Sequence, residues 1–158
     1  CIRDIYLTYS ALNEKGKSTL FLMSAELKNN TLTNKKIIFE AIAFRRVPIH
    51  MGAKIDFLSD GSLLLTSGDG FDHREKAQSL NNHFGKIIRI NKDGSVPSDN
   101  PFVGKKNILP EIFSYGHRNM QGLVVMDDGR IFEHEHGPRG GDELNLIEPG
   151  KNLSLIHI

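Results

Sequence analysis

Short alternating or wholly apolar stretches, each closed by a polar or glycine-bearing turn, run through most of the chain. Ile5, Leu7 and Tyr9 alternate with their neighbours, so 5–10 is expected to be a strand with one buried face. The run 19–27 (TLFLMSAEL) predicts a second strand after the turn NEKGKS. The run 36–45 (KIIFEAIAFR) predicts a third, apolar enough to be buried on both faces. Val47-Pro48 ends it and leaves His50 in a loop before a strand at 53–58. The turn Ser59-Asp60-Gly61 leads to a strand at 62–67, and Gly68-Asp69-Gly70 follows. Phe71–Leu80 is the helical candidate: Asp72 and Glu75 have the spacing of a capping box, and Gln78 falls near its end. A strand at 85–91 then enters the turn Lys92-Asp93-Gly94 and a proline-containing loop.

The plan repeats. IDFLSDGSLLLTSGDG (55–70) and LVVMDDGRIFEHEHG (123–137) each read as strand, Asp-Gly turn, strand and Gly-bearing loop, with another apolar strand after. The unusual polar residues fall at one end of each unit. Repeated antiparallel units of this kind favour a β-propeller over a plain sandwich, because a propeller gathers those ends at one mouth of its channel. The pattern gives about eight or nine strands, and at about four per blade that is about two blades and part of a third.

Composition narrows the function classes. In 158 residues, 39% are hydrophobic and 25% charged, with a net charge of +1, so nothing favours nucleic acid by electrostatics. The basic pairs Lys35-Lys36, Arg45-Arg46 and Lys105-Lys106 read as solvated turns. Cys1 is the single cysteine, which excludes an internal disulfide. No apolar run is long enough for a membrane helix. The chain begins inside a strand pattern and stops after Leu-Ser-Leu-Ile-His-Ile, so both ends are expected to be truncations of a longer protein. A coding sequence that starts and stops at these residues would refute that. Residues 1–152 form the partial propeller, and 153–158 are expected to be a non-native or truncated tail. The sequons Asn29-Asn30-Thr31 and Asn152-Leu153-Ser154 are of a kind that chance supplies often.

The chemistry concentrates in 111–150. His50, alone in its loop, reads either as a solvated side chain or as a general base, since imidazole takes a proton near neutral pH. His134 and His136 alternate along a strand, so both would face one side and could share a metal such as zinc. Gly137-Pro138 in a tight loop exposes carbonyls of the kind hard cations favour, with Asp142 and Glu143 nearby in sequence. Arg118, Asn119 and Gln121 crowd between Gly116 and Gly122, a planar cationic fork with two amides beside it.

Taken together, SYGHRNMQGL followed by EHEHGPRGGDELNLIEPGKN resembles the signature of the soluble quinoprotein glucose/sorbosone dehydrogenase family, nearest its bacterial aldose sugar dehydrogenase branch. HFGKIIRINKDGSVPSDNPF and His50-Met51-Gly52 also match, and the resemblance covers about residues 36 to 152. It implies an all-β, six-bladed β-propeller that binds pyrroloquinoline quinone (PQQ) and calcium, and oxidises the anomeric hydroxyl of aldoses to lactones. By the same resemblance, His50 is the catalytic base and Arg118 contacts both PQQ and the reacting oxygen. Asn119 lies on the cofactor, the carbonyls of Gly137 and Pro138 hold its calcium, and Glu143 binds a second, structural calcium. Gln78 lies about where the family has a substrate-side glutamine, and Gln121, an amide of the crowded stretch, is also expected to bind substrate. The family's setting implies a periplasmic or secreted protein. The chain departs from the pattern at Met51, where an aromatic is usual, at Lys54, where Arg is common, and from Leu153 on.

Two other readings use the same residues. A propeller of this superfamily can keep the fold and serve only to bind proteins. A zinc hydrolase through His134 and His136 lacks a nucleophile and a third ligand in the sequence.

Overall fold

The computed structural model describes residues 3–153. Strands β1 (Arg3–Leu12), β2 (Ser18–Lys28) and β3 (Thr31–Glu40) form the first sheet. Strands β4 (Gly52–Phe57), β5 (Leu63–Ser67), β6 (Lys86–Ile90) and β7 (Ile112–Tyr115) form the second. Strands β8 (Met120–Val125), β9 (Ile131–Glu135) and β10 (Glu143–Ile147) form the third. Within each sheet, strands consecutive in sequence pair antiparallel, so the expected repeat of antiparallel units is present.

The second sheet is packed on both faces, and its sequence explains why. Every residue of β5 and β6 is buried. With the period-two alternation of a strand, Leu63, Leu65, Ile88 and Ile90 point toward Leu20 and Leu22 of the first sheet. Leu64 and Ile87 point the other way, against Phe113, Met120, Ile131 and Ile147. Each such side chain contributes about 1.5–3 kcal/mol of burial, and together they stack the three sheets as successive blades. The first strands of neighbouring sheets, β4 and β8, abut.

Two expectations need correction. The third strand runs 31–40 rather than 36–45. Beyond Glu40 the backbone takes other partners: Ala41 N–H donates to Leu20 O at 2.9 Å and Ile42 N–H to His83 Nδ1 at 2.8 Å. Arg45 then plugs the core, fully buried, with its guanidinium on the carbonyls of Ala43, Gly68 and His50. Burial lowers that guanidinium to about 10, against the pull of Asp69.

The helix expected over 71–80 shrinks to a 3₁₀ turn at Arg74–Gln78, with His73 rather than Asp72 at its start and no side-chain cap. Phe71 adopts a φ of 66°, which breaks any helix at its first turn. Lys86 Nζ takes the carbonyls of Lys76 and Ala77. Leu153 packs beneath the second core cluster and donates its N–H to Tyr115 O at 2.9 Å. The rest of the expected tail, from Ser154, lies outside the described residues.

Candidate functional site

In a hairpin, the start of the first strand and the end of the second lie at the same edge. Two neighbouring sheets therefore bring four segments together: 50–52 before β4, 67–69 after β5, 117–119 before β8 and 135–137 after β9. Backbone bonds stitch them. Gly68 N–H donates to Met51 O at 3.1 Å, Asp69 N–H to Arg118 O at 2.7 Å, and His136 N–H to Asn119 O at 3.1 Å.

His50 Nδ1 lies 2.8 Å from Asp69 Oδ1. Asp69 is fully buried, and its Oδ1 also accepts the Phe71 N–H at 2.9 Å. With Nδ1 donating to a carboxylate, the imidazole presents Nε2 as its acceptor. The His50 side chain is 17% exposed, so it is reachable but not loose. Phe71 meets its ring edge to face at 5.3 Å. Both residues sit at positive φ, 49° for His50 and 66° for Phe71, a conformation that side chains rarely adopt. The bonds around Asp69 and Arg45 hold them there.

Arg118 is buried within the same edge. Its Nη1 donates to the carbonyls of His136 and Gly137, its backbone N–H donates to Glu135 Oε2 at 2.7 Å, and its Nε is buried with no partner. Asn119 is beside it, with Oδ1 accepting from Gln121 Nε2 at 2.9 Å. The expected cofactor-side residues and His50 are therefore brought to one edge.

The loop after β9 is tight. A Cβ on Gly137 would meet Gly141 O at 1.5 Å, so only glycine fits. Asp142 Oδ1 accepts the Gly137 N–H at 3.0 Å, which with His136 holds that carboxyl below its usual range. Gly137 O faces Arg118, and Pro138 O accepts the Gly141 N–H at 3.2 Å. A carbonyl oxygen has two lone pairs, so each can take a hard cation as well.

The side chains of the other expected site residues make no hydrogen bond to those of His50 or Arg118, although the His136 backbone is part of the edge. Gln78, on the 3₁₀ turn, accepts from Asn152 Nδ2 at 2.6 Å and makes no hydrogen bond to His50 or Arg118. Glu143 begins β10 and accepts from Asn145 Nδ2 at 3.3 Å. His134 is exposed on β9, and His136 is exposed with Nδ1 3.4 Å from Asp142 Oδ2. Among the described residues the histidine and carboxylate group close enough to share a metal is a different one: His117, Glu133 and Glu135. Alternation along β9 was read for its outward histidines, whereas its inward glutamates are the buried ones. Glu135 is pushed up to about 8, by burial first and Glu133 second, despite the Arg118 N–H. Sequence reasoning also passed over Asp69, whose Gly-Asp-Gly setting reads as an ordinary turn, and Arg45, which reads as surface charge.

Comparison with known proteins gives the same picture over nearly the whole chain. The family model described as Glucose / Sorbosone dehydrogenase matches residues 2–154. Aldose sugar dehydrogenase YliI of Escherichia coli is 33% identical over 95% of this chain and 41% of its own. A solved glucose dehydrogenase superposes with a TM-score of 0.90 at 42% identity, over 95% of this chain and 44% of that one. The PQQ-bound form of an aldose sugar dehydrogenase from Streptomyces coelicolor gives 0.77 at 31% identity, over 94% of this chain and 42% of that one. The chain thus spans less than half the length of these relatives.

Proposed function

We propose that this chain, which belongs to the glucose/sorbosone dehydrogenase family, carries the catalytic edge of a PQQ-dependent sugar dehydrogenase that oxidises the anomeric hydroxyl of an aldose to a lactone. The observation that carries this reading is Asp69. Its carboxylate holds His50 at 2.8 Å while its own N–H donates to Arg118 O at 2.7 Å, so one buried residue fixes a base and a cationic fork relative to each other.

The residues fit the groups the family implies. The buried, unpartnered Nε of Arg118 is a cationic donor of the kind a carboxylate or quinone oxygen of PQQ needs. The carbonyls of Gly137 and Pro138 are hard oxygen donors suited to calcium. When bound, PQQ supplies a quinone that accepts the hydride from the anomeric carbon, and calcium polarises that quinone.

The protein's own part is proton transfer and positioning. Nε2 of His50 takes the proton of the anomeric hydroxyl as the C–H bond breaks with its electron pair, and the C–O bond becomes the lactone carbonyl. Asp69 keeps the proton on Nδ1, so that Nε2 stays the acceptor. Arg118 stabilises negative charge where it develops. Asn119 and Gln121, joined at 2.9 Å, provide amide contacts at the rim. A periplasmic or secreted setting belongs to the same proposal.

The test is reconstitution of the full-length protein with PQQ and calcium, followed by dye reduction with a panel of aldoses. His50→Gln is expected to lower turnover sharply while PQQ binding stays nearly intact. Unchanged turnover would remove His50 from the role of base. No signal with any sugar would favour a binding module instead.

A further inference from the structure

Directly behind Arg118, on the inward face of β9, the fold buries two carboxylates and an imidazole together. Glu133 is 1% exposed, Glu135 3% and His117 0%. Their ligand-capable atoms all lie within 4.8 Å of one another. His117 Nδ1 is 3.5 Å from Glu133 Oε1 and 3.8 Å from Glu135 Oε2.

Each of the three is anchored from outside. His117 Nε2 is hydrogen-bonded to Ser114 Oγ at 2.8 Å. Glu133 Oε1 accepts from Asn145 Nδ2 at 2.8 Å, and Glu135 Oε2 accepts the Arg118 N–H at 2.7 Å. On the inside, His117 Nδ1 and Glu133 Oε2 are buried with no hydrogen-bond partner. An imidazole whose second nitrogen is tied to a neighbour, beside carboxylates that are themselves hydrogen-bonded, is how proteins orient groups that hold a metal. The guanidinium of Arg118 donates to the carbonyls of His136 and Gly137 and not into this cluster.

We propose that His117, Glu133 and Glu135 bind one divalent metal ion of the zinc type, through Nδ1 and one oxygen of each carboxylate. Ligand atoms in a tetrahedral zinc site with bonds of about 2.0–2.1 Å are about 3.4 Å apart, close to the 3.5 and 3.8 Å from His117 Nδ1 to the two carboxylates. Calcium, which takes about six to eight oxygens, does not suit three protein atoms of which one is nitrogen. The ion is structural: it ties β9 to the segment 117–119 and fixes the backbone from which Arg118 and Asn119 project. It is distinct from the Gly137-Pro138 carbonyls and does not depend on the sugar reaction, since metal retention is read without substrate.

The experiment takes the full-length protein, strips calcium with EGTA, exposes it to zinc and removes the excess by gel filtration. Elemental analysis is expected to find about one retained zinc per chain, lost in both His117→Gln and Glu133→Gln and kept in His134→Ala. Cobalt in place of zinc is expected to give visible d–d absorption that disappears in the same two variants. Anomalous scattering at the zinc edge from wild-type crystals needs no variant to fold. A peak among the three side chains supports the proposal. Wild-type protein that retains no zinc, zinc that survives both variants, or a peak at His134 and His136 overturns it.

Discussion

Asp69 Oδ1 sits 2.8 Å from His50 Nδ1, and the same carboxylate oxygen accepts the Phe71 N–H at 2.9 Å. One oxygen therefore sets the ring of His50 and the turn that carries the aromatic residue packed against it. Asp69→Asn retains the shape of this contact but offers an amide where the imidazole needs an anion. Its NH₂ group can instead donate to Nδ1, which moves the ring proton to Nε2 and blocks the acceptor. Turnover is expected to fall by roughly 10²-fold or more with a smaller change in KM, because the wrong tautomer removes a transition-state interaction. Steady-state kinetics of the reconstituted enzyme decide it. A rise in KM alone would mean that Asp69 only shapes the pocket.

Gly68 is the position at which the segments bearing His50 and Arg118 come close. A Cβ there would meet His50 O at 2.2 Å and Arg118 O at 3.0 Å, both backbone atoms that cannot swing aside. Gly68→Ala is expected to cost on the order of 3 kcal/mol and to depress activity further than stability explains, since it forces the two segments apart. Thermal melts with kinetics on the surviving folded fraction measure both. A variant with native melting behaviour would show that this edge is more pliable than its contacts imply.

Most of the fold was legible because alternation and Asp-Gly turns are local signals. Burial was less so: the strand expected to be buried on both faces, 36–45, is largely exposed as β3, whereas β5 and β6 are the ones buried throughout. The stop of β3 at Glu40 was not legible, because it depends on His83 and Leu20, which lie far off in sequence and capture the backbone of Ile42 and Ala41. The helix was over-read for a similar reason. Its capping spacing is local, but the left-handed Phe71 and the reach of Lys86 Nζ into the turn are tertiary. At the site, the residue types in 115–122 and 134–143 stood out from sequence. The buried partners Asp69, Glu133 and Glu135 did not, since an acidic residue in a turn or strand reads as solvated until something packs over it. The glycines divided as well. Gly68 and Gly137 serve close backbone approach within the protein, not only an opening for a ligand.

Asp60, in the turn between β4 and β5 at the end of the hairpin away from the site, provides a test of the scaffold. Its carboxyl is held down at about 2, chiefly by the Ser62 hydroxyl, with the Ser62 N–H and Arg89 adding to it. A depressed carboxylate stabilises the fold above its unfolded value near 3.8, and that contribution is lost as pH falls toward 2. Asp60→Asn is expected to be less stable than wild type at pH 7 and pH 5, with the gap closing below about pH 4. Urea midpoints across that range check it. A gap that persists at pH 3 would assign the effect to shape and not to charge.

Lys86 is the strongest test of how the second sheet holds the turn that bears Gln78. Its ammonium is fully buried and donates to Phe84 O at 2.5 Å, Ala77 O at 2.8 Å and Lys76 O at 3.2 Å. Burial lowers it from 10.5 to about 7. Between those values the unfolded chain holds a proton that the folded chain has released, so stability rises with pH over this window. The gain is at most about 1.4 kcal/mol per pH unit. Lys86→Met keeps the length, drops the charge and leaves Phe84 O without its lysine donor. The stability of wild type relative to this variant is therefore expected to grow from pH 7 to pH 10, as measured by urea midpoints at matched ionic strength. Parallel curves would mean that the three carbonyls hold the ammonium charged throughout, and that the cage outweighs the burial.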